Sequence, residues 1–237
     1  LLMIAGQHSA WQCLALLQAR GVNRHWRDEK GNTLLHLAAR YPQSASAMLG
    51  LLQATDTLDA DYRHLINTPN TSEETCLHVL ATAGVSDSRL LKQLHEQRII
   101  AFKVNDRGET PLHVAIRCKQ PDFIKAFVAE FELVVRTNAT CLPDLQRLLP
   151  YQQNLVSQAV RYYDEKTFDT LAELLPLALF CNNSSTIVQE IDAAGINQQD
   201  STGRMPIHWA AQSPHALDIL HRLHYLGAML DAQDTAG

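Results

Sequence analysis

An all-α solenoid of stacked helix pairs is the fold class that this sequence predicts, and three observations carry the prediction. First, of its 237 residues 46% are hydrophobic and only 6% aromatic, with Leu and Ala abundant, which favours close-packed helices over an aromatic-rich β-sandwich. Second, one eight-residue pattern recurs four times without gaps: Asn32-Thr-Leu-Leu-His-Leu-Ala-Ala39, Glu74-Thr-Cys-Leu-His-Val-Leu-Ala81, Glu109-Thr-Pro-Leu-His-Val-Ala-Ile116 and Arg204-Met-Pro-Ile-His-Trp-Ala-Ala211. Third, the pattern is followed by runs with helical spacing of apolar residues. The motif histidines His36, His78, His113 and His208 are 42, 35 and 95 residues apart, so the last interval has room for two weaker units.

This pattern resembles the ankyrin repeat, whose signature is Thr-Pro-Leu-His-x-Ala at a period of about 33 residues. More of the family's pattern is present. Asp28-Glu-Lys-Gly31, Asp200-Ser-Thr-Gly203 and, with Asn for Asp, Asn105-Asp-Arg-Gly108 match the preceding turn, and Leu223-His-Tyr-Leu-Gly-Ala-Met-Leu-Asp-Ala-Gln-Asp234 matches the repeat ending. The resemblance implies stacked helix-turn-helix pairs with β-hairpin loops, about 5–7 units counting degenerate and partial ones.

Each motif position has a physical reason. Asp and Gly build the hairpin tip, because Gly tolerates positive φ and Asp bonds nearby backbone. Thr caps the first helix, and Pro111 or Pro206 sits in its first turn, where no amide donor is needed. The small Ala pair lets the next unit approach.

The second helix of each unit carries a wider apolar face: Phe123, Ile124, Phe127, Val128 and Phe131 in one, Leu90, Leu91 and Leu94 in another, Ile219, Leu220, Leu223 and Leu226 in the last. At the start, Trp11, Leu14, Leu16 and Leu17 form a helix that Gly21 stops.

The expected boundaries are a partial unit at 1–27, a unit at 28–69 with an insertion around 55–64, units at 70–104 and 105–136, a departing segment at 137–199, a unit at 200–233, and the opening turn of another at 234–237. The segment 137–199 has no Leu-His-x-Ala and no Asp-x-x-Gly turn, yet Leu155, Val156, Ala159, Val160 and Tyr163 share one helical face and Phe168, Leu171, Leu174 and Leu175 another. Pro143 and Pro150 precede these helices, Asn182-Asn-Ser-Ser185 follows them, and 187–194 reads as a short helix. Degenerate helix pairs continuing the stack are expected there; an inserted helical subdomain is the alternative. The absence of a starting Met suggests a fragment, with further repeats or caps beyond both ends.

Net charge is −5 and the pI about 6.1, so a basic footprint for nucleic acid is missing. Five scattered cysteines show neither a zinc pattern nor a disulfide framework and suggest reduced thiols. No apolar run reaches the roughly 18 residues of a membrane span. A cytoplasmic location is expected, or the host-cell cytoplasm for a secreted effector.

The motif histidines of neighbouring units are expected about 10 Å apart, too far to share one zinc; the resemblance implies that they hydrogen-bond within and between repeats near the Thr hydroxyl. His221 and His224 lack a third ligand, and Asp56, Asp59 and Asp61 lack the Gly and Glu of a calcium loop. No metal, cofactor or catalytic motif is expected; Cys76 and Cys118 read as small core or surface residues, and Trp209 as either a core filler or a contact residue.

The resemblance implies a protein–protein interaction scaffold that recognises another protein through the concave surface of hairpin tips and first-helix ends. The matching positions are Glu29, Lys30, Asn32, Arg40 and Tyr41; Thr71, Ser72, Glu74 and Thr82; Asp106, Arg107, Glu109, Arg117 and Cys118; and Ser201, Thr202, Arg204, Gln212 and Ser213. Their mixed charge suggests a polar protein partner. The alternative is a targeting arm of a larger enzyme or secreted bacterial effector whose catalytic domain lies elsewhere.

Overall fold

Turns with one shared design start the repeats. In the first three, an Asp or Asn carboxyl or amide oxygen accepts two amides downstream: Asp28 Oδ1 from Lys30 (2.9 Å) and Asn32 (2.7 Å), Asn70 Oδ1 from Ser72 (2.9 Å) and Glu74 (3.0 Å), Asn105 Oδ1 from Arg107 (3.0 Å) and Glu109 (2.9 Å). A short side chain that mimics a backbone turn is what Asp and Asn supply. The residue three places on is left-handed: Gly31 at φ 70°, Gly108 at φ 71°, and Gly203 at φ 74° in the last repeat.

The second repeat departs from this pattern. Its turn is Asn70-Thr-Ser-Glu73, and Glu73 takes φ 57° where the others have glycine. Left-handed backbone costs an L-residue about 1–2 kcal/mol, more than the about 0.5–1 kcal/mol that glycine loses in chain entropy. Glu73 also pairs with Lys103 at 3.7 Å, but this is an exposed contact worth little. Glu73→Gly is therefore expected to raise the unfolding free energy by about 0.5–1 kcal/mol; a urea titration in which the variant is less stable contradicts this.

The protein is described from a computed structural model over residues 27–40, 65–137, 155–171 and 203–234, with isolated positions at 45, 48, 49, 52, 196, 197 and 199. The helices are α1 (Leu34–Ala39), α2 (Cys76–Ala83), α3 (Ser88–Glu96), α4 (Pro111–Arg117), α5 (Pro121–Thr137), α6 (Pro206–Ala211) and α7 (Ala216–Tyr225). Helical backbone also spans 155–161 and 165–171, and no strand occurs among the described residues. The helix expected around Trp11 and Leu14, the insertion at 55–64, and the stretches at 138–154 and 187–194 lie outside them.

The chain divides into two compact units, Leu1–Phe131 and Glu132–Gly237. In the first, the thin helices α1, α2 and α4 pack in succession. Ala38, Ala39, Ala81 and Ala115 are 0% exposed, so the helices meet through small side chains. Behind them the wider second helices bury Leu90, Leu91 and Leu94 from α3 and Phe123, Ile124, Phe127 and Phe131 from α5. Phe127 meets three rings, with centroids 4.6 Å from Phe131, 5.7 Å from Phe123 and 5.9 Å from Phe102. Cys76 is fully enclosed, and burial pushes its thiol up to about 12, which keeps it protonated and inert.

The ends of α3 and α4 carry a second surprise. Arg98 (φ 61°) and Lys119 (φ 57°) adopt the left-handed conformation that Gly227 provides after α7. Each closes the same pair of bonds, as when Ile99 N–H donates to Leu94 O and Arg98 N–H to His95 O.

In the second unit, α6 packs on α7, and Ile207, Ala210, Ile219 and Leu223 are buried. Within the departing segment, Val156, Ala159, Val160, Phe168 and Leu171 are buried, as their spacing predicts. Trp209 is half-buried; the guanidinium of Arg161 lies 4.6 Å and that of Arg204 5.0 Å from its ring centroid. Tyr163 donates its hydroxyl to Asp218, and Arg222 on α7 pairs with Asp218 (3.3 Å), Glu165 (3.1 Å) and Asp169.

Candidate functional site: the hairpin tips and first-helix ends

The candidate surface is positioned by two sets of bonds that run from the first repeat to the second and from the second to the third. The first set passes through the motif histidines. His36 Nδ1 accepts from Thr33 N–H (3.2 Å) and lies 2.8 Å from Thr33 Oγ1, while its Nε2 lies 2.8 Å from Glu74 O in the second repeat. His78 repeats this, with Nδ1 3.1 Å from Thr75 N and 3.0 Å from Thr75 Oγ1, and Nε2 3.1 Å from Glu109 O in the third. A carbonyl can only accept, so a proton sits on Nε2, and Nδ1 accepts the threonine N–H and so carries none, which makes the ring neutral.

Burial lowers the pKa of both rings, to about 4 for His78, against a partial opposing pull from the carbonyl each donates to. His113 makes the internal half of the pattern with Thr110, at 3.3 Å from N–H and 2.7 Å from Oγ1. Threonine is the cap residue at Thr33, Thr75 and Thr110, and the Thr110 hydroxyl accepts from His113 N–H (3.5 Å). The last repeat has Met205 there, without a hydroxyl; His208 Nδ1 accepts from the amide of Met205 (3.0 Å), and its Nε2 donates to Ala232 O (3.1 Å).

The second set joins the hairpin tips. Thr71 donates its N–H (3.0 Å) and its hydroxyl (2.9 Å) to Lys30 O, and Asp106 N–H donates to Ser72 O (3.1 Å). Side-chain amides continue the row: Asn70 Nδ2 donates to Asn32 Oδ1 (3.1 Å) and Glu74 Oε2 (3.2 Å), and Asn105 Nδ2 to Glu109 Oε2 (3.4 Å). The tips therefore form a row tied backbone to backbone rather than separate loops.

The sequence-predicted positions fall into three groups. Glu29, Lys30, Arg40, Thr71, Thr82, Asp106, Arg107 and Gln212 are exposed, and Ser72, Glu74, Cys118, Arg204 and Ser213 are half-buried. Asn32 and Glu109 are buried in the row between repeats. Glu109 is gripped by Arg117, with Nε 3.0 Å from Oε1 and Nη2 3.1 Å from Oε2; burial alone raises its pKa, but the Arg117 and Asn105 bonds outweigh it and hold the carboxylate below its ordinary value. Asn32, Glu109 and Arg117 thus hold the frame on which the exposed side chains stand.

Tyr41, Ser201 and Thr202 lie outside the described residues. Sequence reasoning missed Asn70 as a turn residue and Lys103 beside Glu73. Asn70 could have been found, because it precedes Glu74 by the same four residues that separate Asp28 from Asn32.

Among the described residues no helix is long and apolar enough to cross a membrane. No family model and no curated protein matches the sequence. Among solved structures, the crystal structure of the human ASB11 ankyrin repeat domain is similar over the entire chain and 87% of its own, with a TM-score of 0.64 and 18% sequence identity. At that identity the likeness speaks for architecture alone, and it agrees with the repeated turn, the threonine–histidine caps and the stacked thin helices: the fold of this chain is that of an ankyrin-repeat domain.

Proposed function

We propose that the chain is a protein-binding scaffold that recognises a polar surface of a partner protein through its hairpin tips and first-helix ends. The observation that carries this reading is the bonded row of tips, from Lys30 to Thr71 and from Ser72 to Asp106. Exposed Glu29, Lys30, Arg40, Thr71, Thr82, Asp106 and Arg107 stand on a frame whose ordering cost has already been met in folding. Binding then loses less entropy than it would on free loops. The mixture of acidic and basic groups at the tips suits a partner of complementary mixed charge.

The test needs a partner found by crosslinking and then titrated as a purified protein. Arg117 is unsuitable for charge reversal, because reversing it breaks the pair with Glu109. Lys30→Glu combined with Arg107→Glu is expected to weaken binding about tenfold or more, while Lys92→Glu with Lys125→Glu, exposed on the second helices, leaves it within about twofold. The opposite ranking contradicts the assignment of the surface.

We also read 137–199 as degenerate units of the stack. Arg161 reaches α6 while Tyr163, Glu165 and Asp169 reach α7, an order of contacts that suits a helix pair lying against a helix pair. Deleting 137–199 is expected to abolish cooperative unfolding of the second unit; a deletion variant that still melts cooperatively contradicts this reading.

A further inference from the structure

Trp209 fills a motif position that the other repeats give to a smaller aliphatic residue. Leu37, Val79 and Val114 stand there in the first three repeats, and Leu37 (4% exposed) and Val114 (0%) are buried. Trp209 is only half-buried, so part of it reaches solvent. Arg204 departs from the pattern in the same repeat. Its position is held by Asn32, Glu74 and Glu109 in the others, where the carboxylates of Glu74 and Glu109 accept from Asn70 and Asn105. Here the charge is reversed, and the guanidinium lies 5.0 Å from the Trp209 ring centroid and 3.8 Å from Asp234. The third member, Arg161, comes from the neighbouring helical segment at 155–161 and lies 4.6 Å from the same centroid. Three repeats keep the fold with neither an indole nor a cation at these positions, so packing alone does not call for the cluster.

The two cations differ in what they already hold. Arg204 has Asp234, whereas Arg161 is exposed and has no carboxylate partner among the described residues. A guanidinium drawn to the π-face of an indole spends none of its N–H donors on that attraction. Those donors match the two oxygens of a carboxylate, and the ring has already steadied the side chain that carries them. Tryptophan and arginine are also the side chains that carry most of the energy at protein interfaces. The rest of the unit narrows the class of anion. Glu165, Asp218 and Asp231 are exposed on it and repel a nucleic-acid backbone, whose charge recurs along its whole length. A short acidic stretch of polypeptide brings its carboxylates to one place.

We propose that Arg161, Trp209 and Arg204 bind an acidic segment of a partner protein, with a carboxylate on Arg161 and an apolar stem against the exposed part of Trp209. This rests on the scaffold reading and deepens it, by naming the chemistry of the partner and a place for it in the second unit.

The probe is fluorescein-labelled hexaglutamate, titrated against the full chain at low ionic strength and followed by anisotropy, with the Trp209 indole N–H resonance reporting the place. A dissociation constant below about 1 mM and a shift of that resonance are expected. Arg161→Gln is expected to weaken binding about tenfold or more while moving the thermal midpoint by less than about 2 °C. Trp209→Leu, which installs the residue of the first repeat, is expected to weaken it as much. Lys166→Gln, an exposed cation on the same segment, should change affinity by less than about twofold. Hexaglutamate that does not bind, or that binds Arg161→Gln as tightly as the parent chain, overturns the proposal. So does inorganic phosphate or a short oligodeoxynucleotide that competes as well as the peptide at equal charge, since the cluster then takes any anion. Lys30→Glu with Arg107→Glu reads the tips and this peptide reads Trp209, so either assignment can fail alone.

Discussion

Replacing Phe127 with alanine is expected to lower the unfolding free energy by about 3–5 kcal/mol. The side chain is 1% exposed and touches rings from its own helix on both sides, Phe123 and Phe131, and Phe102 from the connection before the third repeat. Truncation removes the transfer energy of a phenyl ring, leaves a cavity walled by three other rings that cannot collapse without moving α5, and forfeits edge and offset contacts worth about 0.5–1.5 kcal/mol a pair. A domain has only about 5–15 kcal/mol in total, so the third repeat should separate from the cooperative transition. Phe127→Leu keeps most of the volume and should cost far less. Denaturant unfolding followed by circular dichroism checks both; a loss below about 1 kcal/mol for Phe127→Ala contradicts the packing described.

The second large effect is at His78. His78→Ala deprives Thr75 N–H of its acceptor and removes one of the two donors to Glu109 O, which keeps Asn105 N–H (3.0 Å), in a site that is 0% exposed. The unpaired buried amide costs about 1–3 kcal/mol, the lost bond to the carbonyl about 0.5–1.5 kcal/mol, and the missing ring adds a cavity, so about 3–5 kcal/mol is expected. His78→Gln separates the two halves of the role. A glutamine at the third helical position can still accept from the cap amide, but it cannot match the ring's reach to the next repeat. It should cost about 1–2 kcal/mol.

The same ring sets a pH dependence. Its folded pKa of about 4 lies below the ordinary 6.5, because burial disfavours the cation. Below pH 6.5 the unfolded chain binds a proton that the folded chain refuses, so stability is full above that pH and falls as pH drops toward 4. His78 accounts for about 3 kcal/mol of that fall, and His36 adds to it in the same direction. In His78→Gln the slope of stability against pH between 6.5 and 4 should be markedly shallower; an unchanged slope places the titration elsewhere.

The two effects bear on why some parts of the fold were legible in the sequence and others were not. The Thr-x-x-His spacing could be read because half of its role is local: the threonine caps, and Nδ1 of the histidine three places on closes the cap. The apolar spacing of α3, α5 and α7 was legible for the same reason, since burial of Leu90, Leu94, Phe123, Phe127, Ile219 and Leu223 follows from helical period alone. What resisted reading was whatever tertiary contact imposes against local preference. Glu73, Arg98 and Lys119 hold left-handed backbone without glycine, so no punctuating residue marked those turns. The recognition positions were legible as places but not as roles. Asn32 and Glu109 occupy variable positions of the pattern, yet Asn70 of the next turn draws Asn32 into the frame, while Asn105 and Arg117 of its own repeat hold Glu109 there. Within 137–199 the helical faces were visible; the ion pairs of Glu165 and Asp169 with Arg222, 57 and 53 residues away, were not.

The rigid row of hairpin tips depends on consecutive repeats being locked through neutral histidine rings, so the most direct test is an NMR titration of the His78 imidazole in the intact chain. The account predicts a neutral ring protonated at Nε2, with that proton protected from solvent by Glu109 O and the ring uncharged until the pH nears 4. A ring that titrates near its ordinary value of 6.5, with no protected Nε2 proton, would contradict it.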